Sequence, residues 1–226
     1  MNSRQTRIFE LVLVLSIAFL PSLINSLSFV ISGRIGSIKE YNSVHYITWI
    51  AQSVLSISLL FYVLFKNNRN FKDIGLKLKF DWKDLLVGAG LMIIAGVAAA
   101  ILAGVINIFS PDFIKNSANP QNIEFINSKF SGFLIIILII VPLQEELIVR
   151  GFTMSEIFNL TESKSLAIII SVLLQFSYHL YQGIGPAIFL LPFFIISSIY
   201  FVRTGNLNPV IYSHILMDLI SLIRKT

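Results

Sequence analysis

The stretch FLIIILIIVPLQEELIVRGF, residues 133–152, decides how this chain is read. Its first nine residues, Phe133 to Val141, are wholly apolar, and then Glu145, Glu146 and Arg150 fall within six positions. A charge at the centre of a bilayer costs ~2.5–3.5 kcal/mol on insertion scales, so these three must pair, protonate or face a wet cavity. Otherwise the helix ends at Val149 and all three sit among lipid headgroups. One pairing is available within the segment. Glu146 and Arg150 are four residues apart with the acid nearer the amino terminus, the favoured order on a helix face. Glu145 is rotated about 100° from Glu146 and is left free to point between helices. Pro142 releases the carbonyl of Leu138 from the helix ladder and invites a kink or water.

The rest of the chain fits the same setting. Of 226 residues, 55% are hydrophobic and only 13% charged, whereas soluble domains are about a quarter charged. The composition predicts an all-α polytopic membrane protein. With no cysteine, disulfides, cysteine-ligated metals and thiol nucleophiles are excluded. The net charge of +5 comes from basic residues clustered between apolar runs. That pattern speaks for orientation signals and anionic lipid rather than nucleic acid. The run from Ile8 to Ile31 is too long for a signal-peptide core and lacks a small-x-small cleavage site.

Apolar runs of about 17–25 residues can cross the hydrocarbon core as helices. Seven are expected, at Ile8–Ile31, Tyr46–Phe65, Leu85–Phe109, Gly132–Arg150, Ser165–Tyr181, Pro186–Val202 and Leu207–Ile223. Six or eight are allowed, because Pro21 and Asn25 interrupt the first run. Within one integral membrane domain, residues 1–83 supply amino-terminal spans and a basic interfacial loop, and residues 84–226 the remainder. With the amino terminus inside, alternate connections carry ten lysines and arginines on the inner side and six on the outer, Arg150 set aside. The bias predicts a cytoplasmic amino terminus in a multi-pass protein.

Two further features carry expectations. DIGLKLKFDW, residues 73–82, alternates apolar with polar or small side chains and is expected to lie extended at the interface, lysines toward headgroups. An ordinary basic loop would read the same way. Gly96, Ala100 and Gly104 recur every four residues, a small-residue face suited to close helix packing.

Downstream of the charged stretch, His179 follows IIISVLLQFSY, and His214 lies within NPVIYSHILMDLISL with Asp218 on the same helix face. Glu145 is 16 residues before Thr161, taken as a turn, and His179 is 18 after it. In antiparallel helices the two then stand at similar height, and His214 can join them. His45, at the boundary of the second span, marks the interface. Each histidine alone reads as a hydrogen-bonded core residue. A free carboxylate, two histidines and a second carboxyl on three apolar helices together read as a chamber.

These residues resemble the CPBP family of intramembrane proteases, which includes the CAAX prenyl proteases and the Abi-like bacterial proteins. EELIVR fits Glu-Glu-x-x-x-Arg, His179 falls at the second-motif histidine, and HILMD fits His-x-x-x-Asn/Asp. The resemblance spans about residues 84–223. It implies a four-helix catalytic core from the fourth span onward, in a bacterial cell membrane, and metal-independent peptide hydrolysis. Glu145 would activate water with His179 assisting, while His214 and Asp218 would stabilise the oxyanion. Glu146, Arg150 and Gln175 would support them. The physical logic agrees, since an apolar chamber makes a carboxylate a better base, and donors at a developing oxyanion are worth ~2.7–4 kcal/mol in other proteases. The sequence departs from the family twice. Gln175 stands where Phe is usual, with Phe176 one step later, either a register variation or a polar partner for His179, and Asp218 stands where Asn is usual. An ionised Asp218 cannot donate a hydrogen bond, so it would be protonated or would orient His214.

No cofactor is implied. The expected partners are the lipid bilayer and a peptide or protein substrate, with prenylated peptides and secreted-peptide precursors in the family's range. Three other readings stand beside this one. Glu145, His179 and His214 could hold zinc in a zinc-dependent membrane protease. The buried charges could serve a proton-coupled transporter. The protein could also be a non-catalytic scaffold or immunity protein.

Overall fold

The computed structural model describes residues 3–32, 43–113 and 132–223. All six lysines and arginines assigned above to the outer side lie outside them, as does most of the polar connection from Ser110 to Phe130. The described residues contain eight α-helices and no strand: α1 (Ser3–Ser32), α2 (Ser43–Lys66), α3 (Trp82–Phe109), α4 (Gly132–Glu145), α5 (Ser155–Thr161), α6 (Lys164–His179), α7 (Ile184–Thr204) and α8 (Asn208–Ile223). A π-helical stretch, Glu146–Met154, joins α4 to α5 without a break. Each of the seven apolar runs coincides with helix. Five described helices are long and apolar enough to cross a membrane: Arg4–Ser32, Val44–Lys66, Trp82–Phe109, Lys164–Gln182 and Ile184–Thr204. The protein is an all-α polytopic membrane protein.

Pro21 does not divide the first run. Its ring removes the hydrogen bond that the carbonyl of Ile17 would otherwise accept, and the side-chain amide of Gln52 on α2 donates to that carbonyl instead. In a bilayer such a replacement is what lets a proline stay inside a spanning helix. Other polar pins tie neighbours together. Ser53 Oγ on α2 donates to Gln144 Oε1 on α4 at 3.1 Å, and the hydroxyls of Ser171 on α6 and Ser198 on α7 lie 3.2 Å apart. Where α1 begins and α2 ends, Glu10 accepts from Lys66 Nζ at 2.8 Å and from Asn67 Nδ2 at 2.9 Å. Nearby, Arg69 pairs with Glu156 of α5.

Short connections enforce antiparallel neighbours. Glu162, at φ +57°, ends α5, and the side chain of Ser163 caps α6 by accepting from Leu166 N. Gly205, at φ +64°, closes α7 just before α8 begins. Helices α3 and α8 cross so closely that a Cβ on Gly88 would lie 2.7 Å from the Pro209 carbonyl oxygen and 2.9 Å from Tyr212 Cβ.

Two expectations are corrected. The small-residue face of α3 is not a packing face within the described chain, since a Cβ on Gly96 or Gly104 would meet no atom within 4 Å. The close approach falls at Gly88, nearly two turns from the start of the helix. The basic connection is not simply extended. Phe71–Ile74 form a 3₁₀ turn capped by the Asn70 side chain. The chain then runs past the start of α8, where Lys77 N donates to Asn208 Oδ1 and Asn208 Nδ2 to the Lys77 carbonyl, both at 2.9 Å. An asparagine 131 positions away satisfies the backbone that a strand neighbour would otherwise pair.

Candidate active site

The fourth run supplies the centre. Its π-helical stretch widens the helix over nine residues that are all buried, Glu146 through Met154. Such stretches recur at functional sites because they shift side chains out of ordinary helical register. Gly151 lies within it, and a Cβ there would meet the Ile74 carbonyl oxygen at 3.0 Å and Leu207 Cδ2 at 3.3 Å. The 3₁₀ turn thereby packs directly against the backbone of this segment.

Glu146 and Arg150 pair as their spacing predicts. Arg150 Nη1 donates to Glu146 Oε1 at 3.0 Å with both side chains wholly buried. The same carboxylate oxygen accepts from His214 Nδ1 at 2.8 Å, so one acid ties α8 to the π-helical stretch. The guanidinium also lies 5.8 and 5.9 Å from the ring centres of Phe193 and Phe194 on α7, within cation–π range. Both imidazoles touch that aromatic pair, His214 with its ring centre 5.3 Å from Phe193 and His179 5.1 Å from Phe194.

Glu145, the adjacent acid, has a different hydrogen-bond partner. Half-buried, it accepts a hydrogen bond from the Tyr178 hydroxyl through Oε2 at 2.8 Å. Tyr178 is itself fixed by stacking on Phe19 of α1, with ring centres 4.5 Å apart and planes within 4°. The ring of His179 lies 4.6 Å from that of Tyr178. Sequence reasoning missed Tyr178, and its one signal is adjacency to His179 at the end of an apolar helix. The Glu146–His214 bond was also missed, since 68 positions separate the two residues.

The tautomers follow from the partners. His179 Nδ1 lies 2.9 Å from the backbone carbonyl of Gln175. A carbonyl only accepts, so Nδ1 carries the hydrogen and Nε2 of a neutral ring is the acceptor. The same argument puts a hydrogen on Nδ1 of His214. Its Nε2 faces Asp218 Oδ1 at 3.9 Å, within ion-pair range but beyond a hydrogen bond. Asp218 stands at the edge of the cluster with its side chain 34% exposed. Gln175 corrects an expectation: its backbone, not its amide, is the partner of His179. The amide is buried with no hydrogen-bond partner among the described residues.

Several buried polar atoms at the centre have no hydrogen-bond partner among the described residues: Glu146 Oε2, Arg150 Nε and Nη2, and both amide atoms of Gln175. Each such group costs ~1–3 kcal/mol if it stays dry. The cluster is polar enough to hold water. Among the described residues, no group of three or more histidines and carboxylates is disposed to hold a metal ion. Two cavities, one walled by residues 72–82 and Gly205 and the other between α1, α2 and Glu156, are not lined by Glu145, His179 or His214.

Residues 127–220 match the family model described as Rce1-like, type II CAAX prenyl endopeptidase Rce1-like. The matched stretch contains all three motifs, and the resemblance to the CPBP and CAAX proteases is borne out over it. It supports a CAAX-type intramembrane protease, a peptide hydrolase, in general terms. No curated protein and no solved structure matches the chain.

Proposed function

We propose that the protein cleaves a peptide bond within the membrane by means of a water molecule activated by Glu145. The observation that carries this reading is that side chains from α4, the π-helical stretch, α6 and α8 converge on one buried polar cluster within the family-matched residues. Glu145, held by the Tyr178 hydroxyl, takes the proton from water. His179, with its Nε2 lone pair available, shares that proton and passes it to the leaving amine. His214, anchored through Nδ1 by Glu146, presents Nε2 where an oxyanion would form. Once protonated there, it donates to that oxyanion. Asp218, across from the same nitrogen, orients and electrostatically supports the ring. Arg150 and Glu146 hold the frame. Removing a comparable oxyanion donor costs ~2.7–4 kcal/mol in other proteases, which sets the scale for His214.

The name of the matching family directs the first substrate test to prenylated CAAX peptides, with secreted-peptide precursors next. The decisive comparison uses purified wild-type protein and the Glu145→Gln variant in the same membranes, with cleavage of a peptide panel read by mass spectrometry. Loss of cleavage with an unchanged unfolding transition supports the assignment. Full cleavage by the variant overturns it. Zinc dependence is tested in the same assay by exhaustive chelation, and activity that survives chelation removes the zinc alternative.

A further inference from the structure

The cavity of about 820 Å³ lies at the end of the bundle where α3 begins and α7 ends, away from the carboxylate–histidine cluster. Its walls are the connection from Lys72 to Trp82 and the turn at Gly205. Three of its lining residues are lysines, Lys72, Lys77 and Lys79. Lys77 pairs with Asp84 at 3.5 Å. Lys72 and Lys79 are exposed and have no carboxylate partner among the described residues. Asp81, the one acid in the lining, spends an oxygen accepting from Lys83 N at the start of α3.

Beside the lysines stand Leu78, Phe80 and Trp82, exposed by 73%, 64% and 59%. Adjacent large apolar side chains beside cations suit a membrane–water boundary, where aromatic rings sit at headgroup depth. The wall is also built rather than loose. Gly75 takes φ +94°, where a Cβ would come within 2.6 Å of the Gly205 carbonyl oxygen. Its own carbonyl accepts from Leu207 N at 2.9 Å, and the Lys77–Asn208 pair of hydrogen bonds closes the far side.

We propose that this pocket binds the phosphate headgroup of an anionic phospholipid, with Lys72 and Lys79 on the phosphate and Leu78, Phe80 and Trp82 along the acyl chains. The proposal rests on the membrane setting of the chain and not on the hydrolase reading. Because Ile74, in the turn before the pocket, abuts Gly151 of the π-helical stretch, an occupied pocket steadies the segment that carries Glu146 and Arg150.

The chain has two tryptophans, so a Trp49→Phe background leaves Trp82 as the sole indole reporter. The protein is reconstituted in phosphatidylcholine vesicles containing brominated phosphatidylglycerol or, separately, brominated phosphatidylcholine. Brominated phosphatidylglycerol is expected to quench Trp82 preferentially. The preference should fall about thirtyfold in the Lys72→Gln/Lys79→Gln variant, the effect of two lysines beside an anionic surface. It should persist in Lys83→Gln, whose lysine lies outside the pocket lining. Native mass spectrometry of the protein with its natural tryptophans gives a second readout as retained phosphatidylglycerol. Equal quenching by the two lipids, or a preference unchanged in the double variant, overturns the proposal. Displacement of the lipid by millimolar inorganic phosphate would show a free-anion site instead and would overturn the lipid assignment.

Discussion

Arg150→Met tests the centre of the structure most directly. The substitution keeps an unbranched side chain of similar length while removing the guanidinium, which is wholly buried and 3.0 Å from Glu146. Removing one partner of a buried pair costs ~3–5 kcal/mol, because the other charge is left uncompensated. His214 still donates to Glu146 and offsets part of that loss, which places the pair's share near the lower bound, about 3 kcal/mol. The guanidinium also leaves the faces of Phe193 and Phe194, and a desolvated cation–π contact is worth about 2 kcal/mol. The single variant is therefore expected to lose about 5 kcal/mol. Adding Glu146→Gln removes the stranded charge, so the double variant should recover most of the pair's share and retain the cation–π loss. Reversible unfolding in mixed detergent micelles, run as a double-mutant cycle, measures both quantities. A coupling of about 2–3 kcal/mol is expected. An Arg150→Met protein within about 1 kcal/mol of wild type, or a double variant that loses the sum of the singles, would refute the reasoning.

Other substitutions separate chemistry from packing. Tyr178→Phe removes one hydrogen bond to the Glu145 carboxyl, a bond of ~1.5–3 kcal/mol when the acceptor is charged. If that bond positions the acid, kcat falls about ten- to a hundredfold with the melting transition retained, and an unchanged kcat in a peptide assay would remove Tyr178 from the site. Gly88→Leu should destabilise by at least ~1–3 kcal/mol, since its Cβ meets backbone that cannot swing aside, whereas Gly96→Leu should be neutral in the same unfolding assay. A reporter fused after Thr226 is expected on the outer face and one before Met1 on the inner; both on one side would show an even number of crossings.

What the sequence made legible follows the range of the interactions involved. Helical runs are encoded by neighbouring residues, and all seven were readable from apolar length alone. The Glu146–Arg150 pair was equally local, four positions on one face. The continuity of α1 through Pro21 was not, because the group that makes the proline tolerable is Gln52, on another helix and 35 positions from the carbonyl it meets. The π-helical widening of residues 146–154 leaves no periodic trace, since all nine residues are buried and no exposed face marks the change of period. Small residues misled for a related reason. Spacing in α3 shows that Gly96, Ala100 and Gly104 share a face but cannot say whether a neighbour covers it. Gly88, eight residues before Gly96 and outside the run that the spacing marks, is the one against which α8 packs.

The candidate site was legible as a set of residues and not as a circuit. Motif order singled out Glu145, His179, His214 and Asp218, and helix geometry allowed them one height. The partners came only with the fold, and they divide the two adjacent acids sharply. Glu146 receives a guanidinium and an imidazole on the same oxygen, whereas Glu145 receives a single phenol. Adjacent carboxylates on a helix are rotated about 100° from each other, and here their hydrogen bonds go to different partners. One becomes the anchor that joins α8 to the π-helical stretch, and its neighbour is left with a neutral donor and an open side. That division explains why a membrane-embedded helix would carry a second acid at the cost of burying it. Under the proposed function the anchor supplies the frame, and Glu145, half-buried with the Tyr178 hydroxyl as its partner, is the acid that meets the water molecule.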